Sequence, residues 1–542
     1  MNTGRETRFP GLIALFGLVL FLPGIRWGLP AVVSWSQDTI AGVRTLGAMD
    51  AWPQRWTGRY PPLQYIVLRV AYQPLIWHWQ RTGRMSVDPN GGRIFQPPHA
   101  PKIGALILVA RFVTVGMAVG ALVALWFATK VLTNEPVAAG VGSMAFGCGA
   151  AFTYFSHLGN VDVPSLFWFT ISLIFYFRAI ATRSIRDAVL LGFFGSLCIS
   201  TKDNWAGMYP GMAVVLLACE WRFHRASFGA GRAAFRAVLQ WRWFAGLLVF
   251  FVPYYLLNGV YWDQKAWISR ISALADAVEK AQYRQPDPIS LAVETALQAA
   301  GAVGWPMLAG MAAASIFAIA AAPRLAFILL VPCLSYYLLV ISWIRFVYER
   351  FLLAPLVLGC VLVGIAVAAW LRHERTPMAL RLALPSLVLL PTLGYAIAVD
   401  AEMITDSRYA AEAWFSNNVP RTSSIGALTG NLERLSPQYL PRLHELGYAT
   451  FPVLAQRDSF ERPQPDYLIL SQYDHDDFDE RQKDCVRDLL SAELGYEFVI
   501  AFRGRFLGTG SSWLSLAGWH APPPGKISPT ITVFRRFNGP PG

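Results

Sequence analysis

The chain has 542 residues, 54% of them hydrophobic and 15% charged, with a formal net charge of +12. A soluble chain carries about 25% charged residues, and stretches here approach the ~20 apolar residues that cross ~30 Å of hydrocarbon, so a soluble globular protein is excluded. Residues 400–542 hold 18 acids and 14 bases, which leaves 16 acids and 32 bases upstream; a positive excess confined to the apolar part speaks for membrane topology and against nucleic-acid binding.

Arg5 and Arg8 precede an apolar run over 10–27, like a signal peptide but with no small-residue cleavage site, so a retained first span is expected. The loop 28–102 follows, with Asp38 in "SWSQDTIAG" and then "RYPPLQYIVLRVAYQPLIWHWQ". Within it, 61–80 contains Pro61, Pro62, Arg69, Pro74 and His78, too polar to cross lipid cheaply. A helix at the membrane surface is expected there. Spans are then expected at 103–129, 136–155, 164–181, 187–200, 205–220, 243–260, 295–321, 325–344, 351–371 and 380–399, eleven with the first. Five cysteines lie in these segments and Cys485 in the tail, so there is neither a disulfide framework nor zinc-ligand spacing.

Eleven spans and a cytoplasmic N-terminus put the basic loops "TRSIRD", 221–242 and "RHERTPMALR" inside, as the positive-inside rule requires. Counting 61–80 as a span would move all three outside. The accepted topology leaves 28–102, 157–163, 201–204, 261–294, 345–350 and 400–542 outside, with 81–102 as the one basic outer loop. Residues 1–399 are thus the membrane domain. Residues 400–542 read as a small outer α/β domain: a helix from Asp406 or Ser407 to before Pro420, a charged helix start in "DHDDFDERQKDCVRDLL", and strand-like runs "SSIGAL", "PDYLILS", "YEFVIAF" and "TITVFRR".

The outer turns carry the chemistry. Asp38 follows the first span; solvated loop carboxylates are common. In "HLGNVDVP", Asp162 precedes Val163 and Pro164 and suits a helix N-terminus, with His157 and Asn160 beside it. "STKDNWAG" holds Lys202, Asp203 and Asn204, and "SWIRFVYERFLLAP" holds Arg345, Tyr348, Glu349 and Arg350. A neighbouring Lys and Asp is ordinarily a surface pair. The shared side of these groups is what raises them: carboxylates and cations meet at one lipid–water boundary, and the guanidinium fork matches phosphate. Chemistry on a lipid-linked phosphate fits. The outer segment 261–294 carries Ile268, Ile271, Leu274 and Val278 at helical spacing, either a helix on the membrane or a lid over a lipid donor.

These pieces in this order resemble the GT-C class of membrane glycosyltransferases, in particular the protein-mannosyltransferase and lipid A aminoarabinose-transferase group. The match runs from the acid in "SWSQDT" through "RYPPLQYIVL", "FSHLGNVDVPSLFWF", "TKDNWAG" and "RFVYERFLLAPL" to "DSRYAAEAWFSNNVPRTSSIGAL", and is weakest over 221–300. The resemblance implies a polytopic α-helical GT-C-like membrane domain with an extracytoplasmic C-terminal α/β domain. It implies a polyprenyl-phosphate sugar donor, a lipid, glycan or protein hydroxyl acceptor, and inverting transfer with Asp38 as general base. The family has Asp-Glu at that position where this chain has Gln37, Asp38 and Thr39. Lys202, Arg345, Arg350 and Tyr348 would bind the donor phosphate. Asp162, His157, Asn160, Tyr60, Asp203 and Asn204 would shape the acceptor or donor-sugar site. No cofactor is obligatory; a divalent cation, if bound, would sit on Asp38 and Asp162. Membrane lipids are partners, nucleic acid is not, and with no eukaryote-like sorting signal a bacterial inner membrane is expected.

Three rivals stand beside this. A transporter or flippase of lipid-linked sugars would place ionisable groups near mid-membrane on broken helices. A polysaccharide polymerase or ligase would use lipid-diphosphate donors. A non-catalytic assembly protein would tolerate loss of Asp38.

Overall fold

Nearly every apolar run of the sequence becomes a helix in the computed structural model, which describes residues 8–36, 38–50, 52, 56, 60–87, 93–281, 284–432, 437–460, 464–476, 478–506 and 527–537. The chain separates into two units: a helical one of Met1–Ile25, Ile40–Gln96 and Leu106–Ile397, and a second of Arg26–Thr39, Pro97–Ala105 and Ala398–Gly542. The second unit therefore includes part of the first loop as well as the tail.

In chain order the helices are α1 (Arg8–Phe21), α2 (Val43–Asp50), α3 (Leu63–Arg81), α4 (His99–Thr133), α5 (Pro136–Gly147), α6 (Ala150–Ser156), α7 (Asp162–Thr182), α8 (Ile185–Ile199), α9 (Met208–Arg225), α10 (Ala230–Val238), α11 (Trp241–Leu257), α12 (Gln264–Glu279), α13 (Pro288–Val303), α14 (Trp305–Ala321), α15 (Pro323–Tyr336), α16 (Leu353–Leu371) and α17 (Met378–Ile404). Among the described residues six stretches are long and apolar enough to cross a membrane: His99–Thr133, Asp162–Thr182, Ala230–Leu257, Pro323–Ile344, Leu353–Leu371 and Met378–Asn418. The total is eight if the bent pairs α5/α6 and α13/α14 each count as one. Of the other expected spans, α1 has 14 residues and α8 has 15. At 1.5 Å per residue these run about 21–23 Å, short of the ~30 Å of hydrocarbon.

The single span expected over 295–321 is corrected by a 114° bend between α13 and α14. Gly304 stands at the break: at φ 83° and ψ 149°, a conformation open to glycine, it closes α13, and Pro306 opens α14. The stretch 136–155 is likewise bent by 69° between Gly147 and Ala150. At 61–80 the chain does form a helix, α3, burying Tyr65, Leu68, Tyr72, Ile76 and Trp79 along one face.

In the second unit a five-stranded sheet has the order β4-β3-β5-β7-β6, with β3 (Ser424–Thr429), β4 (Ala449–Leu454), β5 (Tyr467–Ser471), β6 (Tyr496–Phe502) and β7 (Ile531–Arg536); a short hairpin of β1 (Met85–Val87) and β2 (Arg93–Phe95) precedes them in the helical unit. β4, β3 and β5 run parallel, and β7 is antiparallel to both β5 and β6. Period-two alternation divides the core. Ile425, Ala427, Ile469 and Val533 pack with Phe415 of α18 (Ser407–Asn418), while Leu428, Leu468, Leu470 and Phe534 pack with Val486 and Leu489 of α19 (Glu480–Leu490). Asp406 caps α18 by accepting the Arg408 amide, and Asp479 with Gln482 forms a capping box on α19. β4 was not expected; its Pro452 and four exposed residues hide it, as befits an edge strand.

Candidate active site

The helical unit gathers most of the expected polar residues around the turn 157–162. His157 ends α6 with no exposed surface, its Nδ1 2.8 Å from the Thr153 carbonyl and its Nε2 2.5 Å from that of Pro23. The ring thus lies between two backbone carbonyls and ties the turn to the chain just past α1. The Ile40 amide donates to the Gly159 carbonyl at 2.8 Å and fixes the other side of the turn.

Asp162 opens α7, but the expected capping role is corrected: no side chain caps this helix. Its carboxylate instead pairs with the Lys202 ammonium, both groups buried. A buried pair of this kind is costly to break and contributes little stability while intact, so geometry is what it supplies. Lys202 lies between α8 and the 3-10 turn Asp203–Gly207, and its Nζ stands 5.1 Å from the Phe351 ring centroid. Arg350 lies 5.2 Å from the Tyr348 ring and 5.8 Å from Phe351, so Phe351 joins the two cations.

The adjacent Asp203 faces a different partner. Arg270 of α12, with a side chain only 5% exposed, forks onto it at 2.7 and 3.2 Å. In sequence this arginine is hidden, because the visible signal of the segment is its apolar spacing. Arg270 follows Trp267 by one helical turn and precedes Leu274 by another, and that inward row, not Ile268 at 48% exposure, is the docked face. Replacing Arg270 by alanine removes the anchor: amide exchange across 264–279 is expected to rise about tenfold or more, with α7 and α16 unchanged.

Asn204 donates to the Tyr336 hydroxyl at 3.0 Å, and Asn258 to Ser200 Oγ at 3.1 Å. Ser200 also accepts the Leu63 amide at 3.1 Å, which seats the start of α3 two residues from Lys202. Among the described residues the carboxamides of Gln64 and Asn160 have no hydrogen-bond partner on either polar atom, and both side chains are fully buried. Such groups ordinarily find partners, at a cost of about 1–3 kcal/mol when they do not. Asn160 is two residues from Asp162, and Gln64 follows Leu63, whose amide is bonded to Ser200.

Tyr60 accepts the Trp56 indole N–H on its carbonyl at 3.0 Å. Arg345 is drawn elsewhere: at φ 58° it donates its guanidinium to the Pro286 carbonyl and takes the Gln285 amide on its own carbonyl at 2.7 Å. It closes the loop 285–286 instead of joining Lys202. Asp38 belongs to the second unit, half-buried, with its amide donated to Ser36 Oγ at 3.3 Å; Gln37 lies outside the described residues. No cluster of three or more His, Cys, Asp or Glu side chains suited to a metal occurs among the described residues.

No family model matches this sequence, and no curated protein does. Its similarities are to solved structures. ArnT from Cupriavidus metallidurans bound to undecaprenyl phosphate is 12% identical, with 96% of this chain and 97% of that one covered at a TM-score of 0.48. The oligosaccharyltransferase AglB from Archaeoglobus fulgidus, in complex with an inhibitory peptide and a dolichol-phosphate, is 12% identical over 94% of this chain and 74% of that one, with a TM-score of 0.47. The S. cerevisiae protein O-mannosyltransferase Pmt1–Pmt2 complex bound to the sugar donor is 15% identical over 48% and 34%, with a TM-score of 0.34.

Proposed function

We propose that this chain is an integral-membrane glycosyltransferase that moves a sugar from a polyprenyl-phosphate donor to a hydroxyl of a lipid, glycan or protein, on the extracytoplasmic side of a bacterial inner membrane. The observation that carries this is the convergence of Lys202 and Arg350 on the Phe351 ring, with Asp162 paired to Lys202. Cations held this way suit a phosphate that gains charge as the glycosidic bond breaks. Asp38 accepts the proton of the acceptor hydroxyl as that oxygen attacks the anomeric carbon from the face opposite the phosphate, which inverts the configuration.

A second possibility has its own support. Two bent helix pairs, α5/α6 and α13/α14, are the kind of feature that transporters use at binding sites. The purified protein in liposomes, given undecaprenyl phosphate bearing mannose, galactose or arabinose and total envelope lipid as acceptor, separates the two. Release of undecaprenyl phosphate with sugar appearing on an acceptor supports transfer. Movement of intact donor between leaflets, with no transfer, supports the flippase.

Gln64 gives a finer test. Gln64→Met keeps the volume and removes the amide, so thermal stability is expected to hold or rise. Donor KM is expected to rise about tenfold if the carboxamide reads a sugar hydroxyl. Unchanged KM would reduce Gln64 to a packing residue.

A further inference from the structure

The described residues of 26–39 contain neither helix nor strand, so their backbone polar groups need partners outside regular structure. Within the second unit some of those partners are side chains of the C-terminal part. The Gly28 amide donates to the Tyr409 hydroxyl at 2.7 Å, and Arg442 donates to the Pro30 carbonyl at 3.2 Å. Trp27 donates its indole N–H to Asp406 Oδ2 at 2.8 Å. The same carboxylate receives a fork from Arg408, Nε to Oδ1 at 2.8 Å and Nη2 to Oδ2 at 2.7 Å, and the Ser528 amide at 2.9 Å. Arg408 Nη1 continues to the Gln438 carbonyl at 2.5 Å.

Neither charged side chain of this pair is exposed. The Arg408 guanidinium lies 4.0 Å from the Trp35 ring centroid and 5.2 Å from that of Trp27. Trp35 is also buried, with Tyr409 at 4.8 Å between ring centroids and Arg442 5.1 Å from its ring. Gly28, at φ 70°, lets the ring lie against the backbone, since a Cβ there would meet it at 2.7 Å. From Trp35 a turn pinned by hydroxyls leads to Asp38: Ser34 Oγ accepts the Ser36 amide and Ser36 Oγ accepts the Asp38 amide, each at 3.3 Å.

A buried ion pair is a poor source of net stability. A fork–fork pair packed on two indoles fixes direction and distance well. We infer that Asp406 and Arg408 are positioning residues for Asp38: through Trp27 and Trp35 the C-terminal domain holds the loop that carries the base. This rests on Asp38 being the general base, and it gives that domain a part in turnover beyond any recognition of acceptor.

The test uses the full-length protein with undecaprenyl phosphate mannose, galactose and arabinose. Trp27→Phe removes the indole N–H together with part of a buried ring, and Arg408→Lys keeps the charge and loses the fork. Each is expected to lower kcat about tenfold or more while leaving donor KM nearly unchanged, as misplacement of a reacting group does. The pH profile of kcat should keep its wild-type shape, because the base is the same group. Hydrogen exchange over 31–40 should quicken in both variants with α3 unaffected, a readout that needs no turnover. Wild-type kcat in both variants beside an inactive Asp38→Asn would overturn the positioning alone. A raised KM at unchanged kcat, or unaltered exchange over 31–40, would overturn it as well. Wild-type turnover by Asp38→Asn would instead remove the base assignment and this inference together. If Arg408→Lys does not fold, Trp27→Phe carries the test.

Discussion

Asp38→Asn is expected to lower kcat by about 10²–10⁴-fold, the range a positioned general base contributes. The asparagine keeps shape and one hydrogen-bonding oxygen but cannot take a proton. Donor KM should stay near wild type, because Asp38 meets the acceptor oxygen and not the leaving phosphate. The measurement is steady-state release of undecaprenyl phosphate at varied donor and acceptor, with donor binding checked by a labelled, non-reacting analogue. Full turnover in the variant would keep the sugar-transfer proposal and exclude Asp38 as its base. Loss of donor binding with the turnover would place Asp38 on the donor instead. The single acid at this position sharpens the test, since no neighbouring Glu is present to stand in for it.

How much of this was legible in sequence depended on the range of the interaction. The helix from Asp406 and the strands at 424, 467, 496 and 531 were legible because cap residues and period-two alternation are local signals. The break at Gly304 was legible in principle: a glycine followed by Trp305 and Pro306 is a stop and a start, but continuous hydrophobicity over 295–321 masked it. The pairing of Lys202 with Asp162, forty residues apart, was not legible. Lys202 stands out in sequence through the outer side it shares with the other charged turns, and Asp162 through its fit to a helix N-terminus. Arg270 was invisible for the converse reason, since a basic residue on a polar-looking helix face draws no attention until its carboxylate is known. The union of 26–39 with the C-terminal part is longer still in range: Trp27 and Asp406 are separated by 379 residues, and no pattern in either segment names the other.

The Asp162–Lys202 pair gives the second large effect, and a double substitution separates its two roles. Lys202→Met leaves the Asp162 carboxylate buried without its partner, and Asp162→Asn leaves the ammonium so. Each single change is expected to destabilise the protein by about 3–5 kcal/mol, the usual cost of breaking a buried pair from one side. Combining them removes both charges, and stability should return to within about 1–2 kcal/mol of wild type, because an intact buried pair has little net worth. Activity should not return. If Lys202 offsets the charge growing on the phosphate, the double variant remains about 10²–10³-fold slower, as when one oxyanion donor is lost. Denaturant melts in detergent read the first quantity and donor turnover the second. A double variant that regained both would make the pair a structural strut beneath the site. Recovery of stability without recovery of rate would place the ammonium on the phosphate, with Asp162 as the group that aims it.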